Sequence, residues 1–210
     1  MLLAEAAHIA KNAICAPPVP FGIKEIKMNV KLVVIAALVI ASSAVVLADE
    51  EAGNRPVVRS SEYGSMYAKS VPKESYGQKG KTSVFRVGPD RDTLICEYEW
   101  YANTIYIGGA GEDTLIRFGP WQRGRKPQKE HLALGIYRNG KTIREYSTAE
   151  MEKLGSGVFV SVSHYTTFQR HLGFRWLKGN RYVYEVEGAS GKVFTIELET
   201  GSLTEKTAEP

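Results

Sequence analysis

Phe174-Arg-Trp-Leu-Lys-Gly-Asn-Arg-Tyr-Val-Tyr-Glu-Val-Glu-Gly-Ala-Ser-Gly-Lys-Val-Phe-Thr-Ile-Glu-Leu198 decides the fold class. Three short runs rich in Val, Ile, Tyr, Phe and Trp alternate with two Gly-containing turns, and β-branched and aromatic residues in short alternating runs are the mark of strands. Gly179-Asn180 predicts a two-residue hairpin that pairs Trp176 with Val183. Gly188–Gly191 predicts a four-residue one that pairs Val183 with Ile196 and Val186 with Val193. Upstream, Asn139-Gly140 is the strongest turn signal in the chain, because both central positions of a type I′ turn need positive φ. It predicts Ile136 opposite Ile143. On these registers one face of the C-terminal sheet carries Phe174, Trp176, Val183, Phe194, Ile196 and Leu198, and is read as the core. The other carries Arg175, Leu177, Tyr182, Tyr184 and Thr195, with Arg175 across from Tyr184.

Working outward, Thr93–Tyr101 alternates in the same way, with Leu94, Cys96, Tyr98 and Trp100 on one side. Ser147-Thr148-Ala149-Glu150 fits a capping box, and Gly155 supplies a stop, so one short helix is expected near residues 148–154. Residues 81–199 are read as one β domain of about eight or nine strands, a single antiparallel β-sandwich with a β-barrel as the alternative. Residues 49–80, rich in Ser, Gly, Lys and Glu, read as an extended arm or linker that Tyr63, Met66, Tyr67 and Tyr76 could pin down. Residues 200–210 read as a flexible tail.

The N-terminal part carries a targeting signal. Met28-Asn-Val-Lys31 is a short basic segment, and Leu32–Ala48 is a 17-residue apolar run ending in Val46-Leu47-Ala48 before Asp49. This is the pattern of a signal peptide over residues 28–48. Seventeen residues stand at the short end for spanning about 30 Å of hydrocarbon, so cleavage is expected rather than stable membrane insertion. Residues 1–27 read as a non-native upstream extension, with Met28 as the start. The expected location is exported, periplasmic or extracellular.

Charge and cysteines narrow the class further. Of 210 residues, 43% are hydrophobic and 24% charged, the balance of an ordinary globular chain. Loss of residues 1–48 removes four lysines and two glutamates, leaving 23 basic and 21 acidic groups, a net charge of +2. That balance does not point to nucleic acid. Cys15 and Cys96 fall on opposite sides of the cleavage point, so the mature chain has no internal disulfide.

No catalytic or metal-binding pattern stands out, and no cofactor is implied. The three histidines of the mature chain are His131, His164 and His171. Ser161-Val-Ser-His164 invites Ser–His catalysis, but on a regular strand neighbouring side chains point to opposite faces. Ser161 and Ser163 are thus expected to face away from His164. His164 is expected half-buried with one hydrogen-bond partner, and a Cys96–His164 pair lacks a carboxylate spaced to join it. Gly108-Gly-Ala-Gly111 precedes a strand rather than a helix, so it is a hairpin turn and not a phosphate loop. Glu112 and Asp113 beside it do not by themselves make a calcium site.

Two surfaces remain. Phe118–Lys129 gathers Trp121, Arg123, Arg125 and Lys126 in a Gly/Pro-rich loop, where guanidinium forks suit anions and the indole offers a stacking face. The Arg175, Tyr182, Tyr184 face has the composition of a recognition surface. The expected function is an exported, non-enzymatic β domain that binds a cell-envelope protein or an anionic glycan. The alternatives are a hydrolase-like enzyme using His164, or a barrel that carries a small molecule.

Overall fold

The computed structural model describes residues 53–206. The expected leader 28–48 and the extension 1–27 lie outside the described residues. What is described is an all-β chain of antiparallel sheets with one short helix, a sandwich with no closed barrel. Among the described residues no helix is long and apolar enough to cross a membrane.

Three four-stranded sheets form the layers. The first runs β1 (Val57–Ser60), β2 (Met66–Pro72), β3 (Gly80–Arg86), β4 (Thr93–Tyr98). The second has the order β5 (Ile105–Gly108), β6 (Thr114–Phe118), β8 (Leu132–Arg138), β9 (Lys141–Ser147). The third is β12 (Phe168–Leu177), β13 (Arg181–Gly188), β14 (Val193–Glu197), β15 (Leu203–Glu205). A small sheet joins β10 (Phe159–Val160), β11 (His164–Thr166) and β7 (Gln122–Arg123).

The second sheet is the middle of the sandwich. Alternate residues of a strand serve opposite faces, and here both faces are buried. Ile116, Phe118, Leu134 and Ile136 pack against Tyr184, Val186, Phe194 and Ile196 of the third sheet. Ile105, Ile107, Leu115 and Tyr137 pack against Met66, Ala68, Val84 and Tyr98 of the first. This explains why β6 reads as an unbroken run of buried residues rather than an alternating one. Gly108 belongs to the same economy: a Cβ there would stand 2.6 Å from the Phe174 ring, so only glycine lets the layers meet.

The segment 49–80, expected as an arm, is part of the fold where it is described. Met66, Ala68 and Ser70 of β2 are buried, and the Ser70 hydroxyl lies 2.8 Å from that of Thr82 on β3. Thr82 donates to the Trp100 carbonyl and Ser70 accepts from the Ala102 amide, so the buried pair is satisfied. These strands were hard to read because their inward positions are small and polar. The expected tail likewise contributes β15, hydrogen-bonded along β14.

The register predictions need correction by one residue. Gly179 and Asn180 have positive φ as expected, but Lys178 joins the loop, so Trp176 pairs with Tyr182 and Arg175 with Val183. In the next hairpin Val183 pairs with Glu197 and Val186 with Phe194. A one-residue slip exchanges faces. Tyr184 is therefore core, fully buried with Phe174 and Ile196 beside it in the ladder, whereas Trp176 is exposed. The Asn139-Gly140 hairpin begins in the expected register, Arg138 opposite Lys141. A bulge then moves Ile136 opposite Arg144 instead of Ile143. Another bulge at Ile95 turns Leu94 outward with Phe85, while Cys96 stays inward with Val84.

The helix α1 (Thr148–Lys153) forms as expected. The Ser147 side chain accepts from the Glu150 amide, and the Glu150 carboxylate accepts from the Ser147 amide at 2.8 Å. That backbone hydrogen bond is the main reason the Glu150 carboxyl titrates below its ordinary range. Met151 anchors the helix in the core.

Candidate functional site

The site is built on the connection from β6 to β8. Gly119 donates its amide to Ala133, and a Cβ on it would come 1.8 Å from the Leu132 carbonyl. The chain can therefore press against β8 at this point only through glycine. Pro120 follows and lifts Trp121 out, leaving it 57% exposed. Gln122 turns back in and donates its Nε2 to the Leu132 carbonyl at 3.1 Å. β7 then pairs with β11, placing Arg123 opposite His164 and Gln122 opposite Tyr165. Trp121 is thus held from both sides by backbone pairing while its indole stands in solvent.

Trp121 is the wall between two clefts. One, of about 490 Å³, has Phe118, Tyr165, Phe168 and His171 along its floor, with Asn103 and Thr104 at the edge. The His171 ring lies 4.2 Å from that of Phe118 and 5.1 Å from that of Tyr106. The side chain is exposed, and partial desolvation by the rings beside it lowers its pKa from the ordinary histidine value. The other cleft, of about 560 Å³, lies between Trp121 and the loop joining β2 to β3. Glu74, Tyr76, Gln78 and Lys79 line it on the loop side, and Arg123 and His131 on the other. A smaller hollow of about 120 Å³ touches Trp121, Phe159, Val160 and His164.

Two buried networks stand behind the second cleft. In the first, Arg117 lies with its guanidinium 4.3 Å from the centre of the Trp100 ring. It donates to Gln78 Oε1 and, at 3.5 Å, to the Tyr137 hydroxyl, which passes its own proton toward Glu145. The Arg117 Nε has no partner, and no carboxylate among the described residues pairs with this cation. In the second network His131 Nδ1 meets the Tyr165 hydroxyl at 2.8 Å, and that hydroxyl meets Thr148 Oγ1 at 2.9 Å. Thr148 is in turn fixed by Gln128, whose amide donates to it and whose carbonyl accepts from it.

Of the residues singled out in the sequence, the loop set stays together. Trp121, Arg123, Arg125 and Lys126 are all exposed, and Arg125 is steered by a 3.4 Å contact to the Val162 carbonyl. The second set is dispersed. Tyr184 is buried; Tyr182 donates to Glu62; Arg175 is engaged by the buried Glu185, which Lys206 also meets at 3.2 Å. What was read as a Tyr/Arg face is an ion-pair ladder that also includes Arg170–Glu187 and Arg181–Glu197.

The Ser163–His164 expectation is also corrected. Residues 161–163 form a turn rather than a strand, which brings the Ser163 hydroxyl 2.7 Å from His164 Nδ1. His164 is more buried than half, at 7% exposure. Glu112 is occupied structurally: the Tyr63 amide, the Ser65 amide and the Ser65 hydroxyl all donate to it. Among the described residues no group of three or more His, Cys, Asp or Glu could hold a metal ion. Arg117, Gln78, His131 and Tyr165 were missed as site residues. A lone arginine inside the apolar run Leu115–Phe118 was the signal available for the first.

Comparison with known protein families, curated proteins and solved structures gives no significant match to this chain.

Proposed function

We propose that this chain is an exported, non-enzymatic β domain that binds an anionic glycan or a protein of the cell envelope through the Trp121 loop. The observation that carries this reading is Trp121 itself. A tryptophan that is 57% exposed, braced on both sides by backbone pairing and shared by two clefts, is a stacking platform. Arg123, Arg125 and Lys126 beside it supply cations suited to carboxylate, sulfate or phosphate groups. The test is retention of the full chain on an insoluble envelope polysaccharide and protein fraction. Trp121→Ala and the Arg123→Ala, Arg125→Ala double variant are expected to lose retention. Retention equal to the parent in both would remove the loop from the case.

The Ser163–His164 contact favours a second reading, hydrolysis through an activated serine. It predicts turnover of an activated ester that Ser163→Ala abolishes, and absence of turnover in the parent protein rejects it.

A further inference from the structure

We infer that the cleft between Trp121 and the β2–β3 loop reads the carboxylate of an acidic sugar whose ring lies on the Trp121 indole. This rests on the glycan reading above and specifies the ligand. The two buried networks decide which polar atoms are left for the cleft.

A guanidinium only donates. Gln78 must therefore turn its Oε1 to Arg117, and its NH2 group, which makes no hydrogen bond among the described residues, is left for the cleft that Gln78 lines. The buried Arg117 thus fixes Gln78 as a donor and places a positive charge behind it. Lys79 adds a second donor from the same loop, and Arg123 adds positive charge on the opposite wall. Lys79 reaches Glu74 only at 3.7 Å and both are exposed, so solvent weakens that pair and the lysine remains available to a ligand.

The second network fixes acceptors. Thr148 accepts from the Gln128 amide and donates to the Gln128 carbonyl, so toward Tyr165 it can only accept. The Tyr165 hydroxyl spends its proton on Thr148 and must accept from His131, so Nδ1 of His131 carries the hydrogen. With one proton on the ring, held at Nδ1, the Nε2 lone pair is left for the cleft that His131 lines. Gln122 has committed its Nε2 to the Leu132 carbonyl and offers Oε1. Two donors, the Arg123 charge and two fixed acceptors beside an exposed indole match a ring that carries one carboxylate and several hydroxyls, and the Glu74 carboxylate on the loop wall is a further acceptor for those hydroxyls. A bare inorganic anion would leave the acceptors without partners, and a neutral sugar would leave the donor cluster without its charge.

The experiment is titration of the full chain with hexagalacturonate and with its fully methyl-esterified form, followed by tryptophan fluorescence and calorimetry. The ester loses the charge and gains a methyl group, and keeps the ring, its hydroxyls and the carbonyl acceptor. The parent protein is expected to bind the acid at least about tenfold more tightly than the ester. Gln78→Met and Gln78→Glu are expected to remove that preference while leaving near-ultraviolet dichroism unchanged; Trp121→Ala is expected to weaken both ligands. Equal affinity for acid and ester overturns the carboxylate readout and leaves glycan binding standing. Binding of neither overturns the glycan reading together with this inference. Acid binding that survives Trp121→Ala and is displaced equally by sulfate reduces the site to diffuse charge and overturns the proposal.

Discussion

Two tryptophans reach solvent to nearly the same degree, Trp121 at 57% exposure and Trp176 at 53%. Their settings differ. Trp121 stands on a loop, between clefts, with arginines whose positions follow from chain order. Trp176 sits at the end of a hairpin, edge-on to Tyr182 at 4.6 Å, and its neighbouring cations are spent on carboxylates of the same sheet. Tyr182 itself is tied through its hydroxyl to Glu62 and is pushed up to about 12, chiefly by burial. The lesson concerns what a loop and a strand do with the same residue types. In a strand, an aromatic or an arginine is a cross-strand partner first, and the sheet consumes it. Trp121, on a turn braced by glycine and proline one residue before β7, has no cross-strand partner to serve.

The largest test of that contrast is to truncate one aromatic from each region. Tyr184→Ala removes a fully buried ring from the packing between the second and third sheets, and is expected to cost about 3–5 kcal/mol. Trp121→Ala is expected to change stability by no more than about 0.5 kcal/mol. Urea denaturation of the two variants measures both. Comparable losses would mean that the Trp121 loop is a structural plug, and the binding case would lose its central residue.

How much of this was legible beforehand depended on the device in question. Turn chemistry was: Asn139, Gly179 and Asn180 show the positive or glycine-tolerated φ their sequence implied, and the capping box at Ser147 formed atom for atom. Register was not, because Lys178 could enter the loop and Ile95 could bulge, and neither choice leaves a mark in hydrophobic pattern. One clue did exist. Had Val183 faced the core, Glu185 and Glu187 would have followed it there, while Tyr184 and Val186 faced out. The two carboxylates argued for keeping that face out of the apolar core, and the fold buries it instead under ion pairs, Glu185 with Arg175 and Lys206 and Glu187 with Arg170. The central sheet was hidden for a related reason, since a strand buried on both faces loses its alternation. Arg117, Gln78 and His131 lie far apart in the chain and became a site only through the fold.

The β1–β2 turn is tied to the Trp176 hairpin through Tyr182. Glu112 holds the β1–β2 turn, whose Glu62 receives Tyr182. Burial alone would raise the Glu112 carboxyl, but hydrogen bonds from Ser65, the Tyr63 amide and Ser61 outweigh it and hold the pKa below the ordinary value of 4.5. A depressed carboxylate stabilises the fold above its unfolded pKa, and that contribution is lost as pH falls through the folded value. Glu112→Gln is expected to cost about 1–3 kcal/mol at neutral pH and to flatten the fall in Tm below pH 4.5. An unchanged acid limb would show that the clamp contributes nothing, and that the hairpin's link to the turn is incidental.

The smallest expected effect is the sharpest on register. Deleting Lys178 leaves Gly179-Asn180 as a two-residue loop between Leu177 and Arg181, residues that already pair. Both loop residues already have the left-handed φ that a type I′ turn requires. Every pair from Trp176–Tyr182 downward is therefore preserved, and the cost is expected to stay within about 0.5 kcal/mol. Cross-strand nuclear Overhauser effects between Trp176 and Tyr182, with the Tm, measure it. If the deletion instead moves Trp176 opposite Val183 or lowers Tm sharply, Lys178 sets the register. The exposure of Trp176 would then be a product of that one residue, whereas the exposure of Trp121 follows from the glycine-proline turn that carries it.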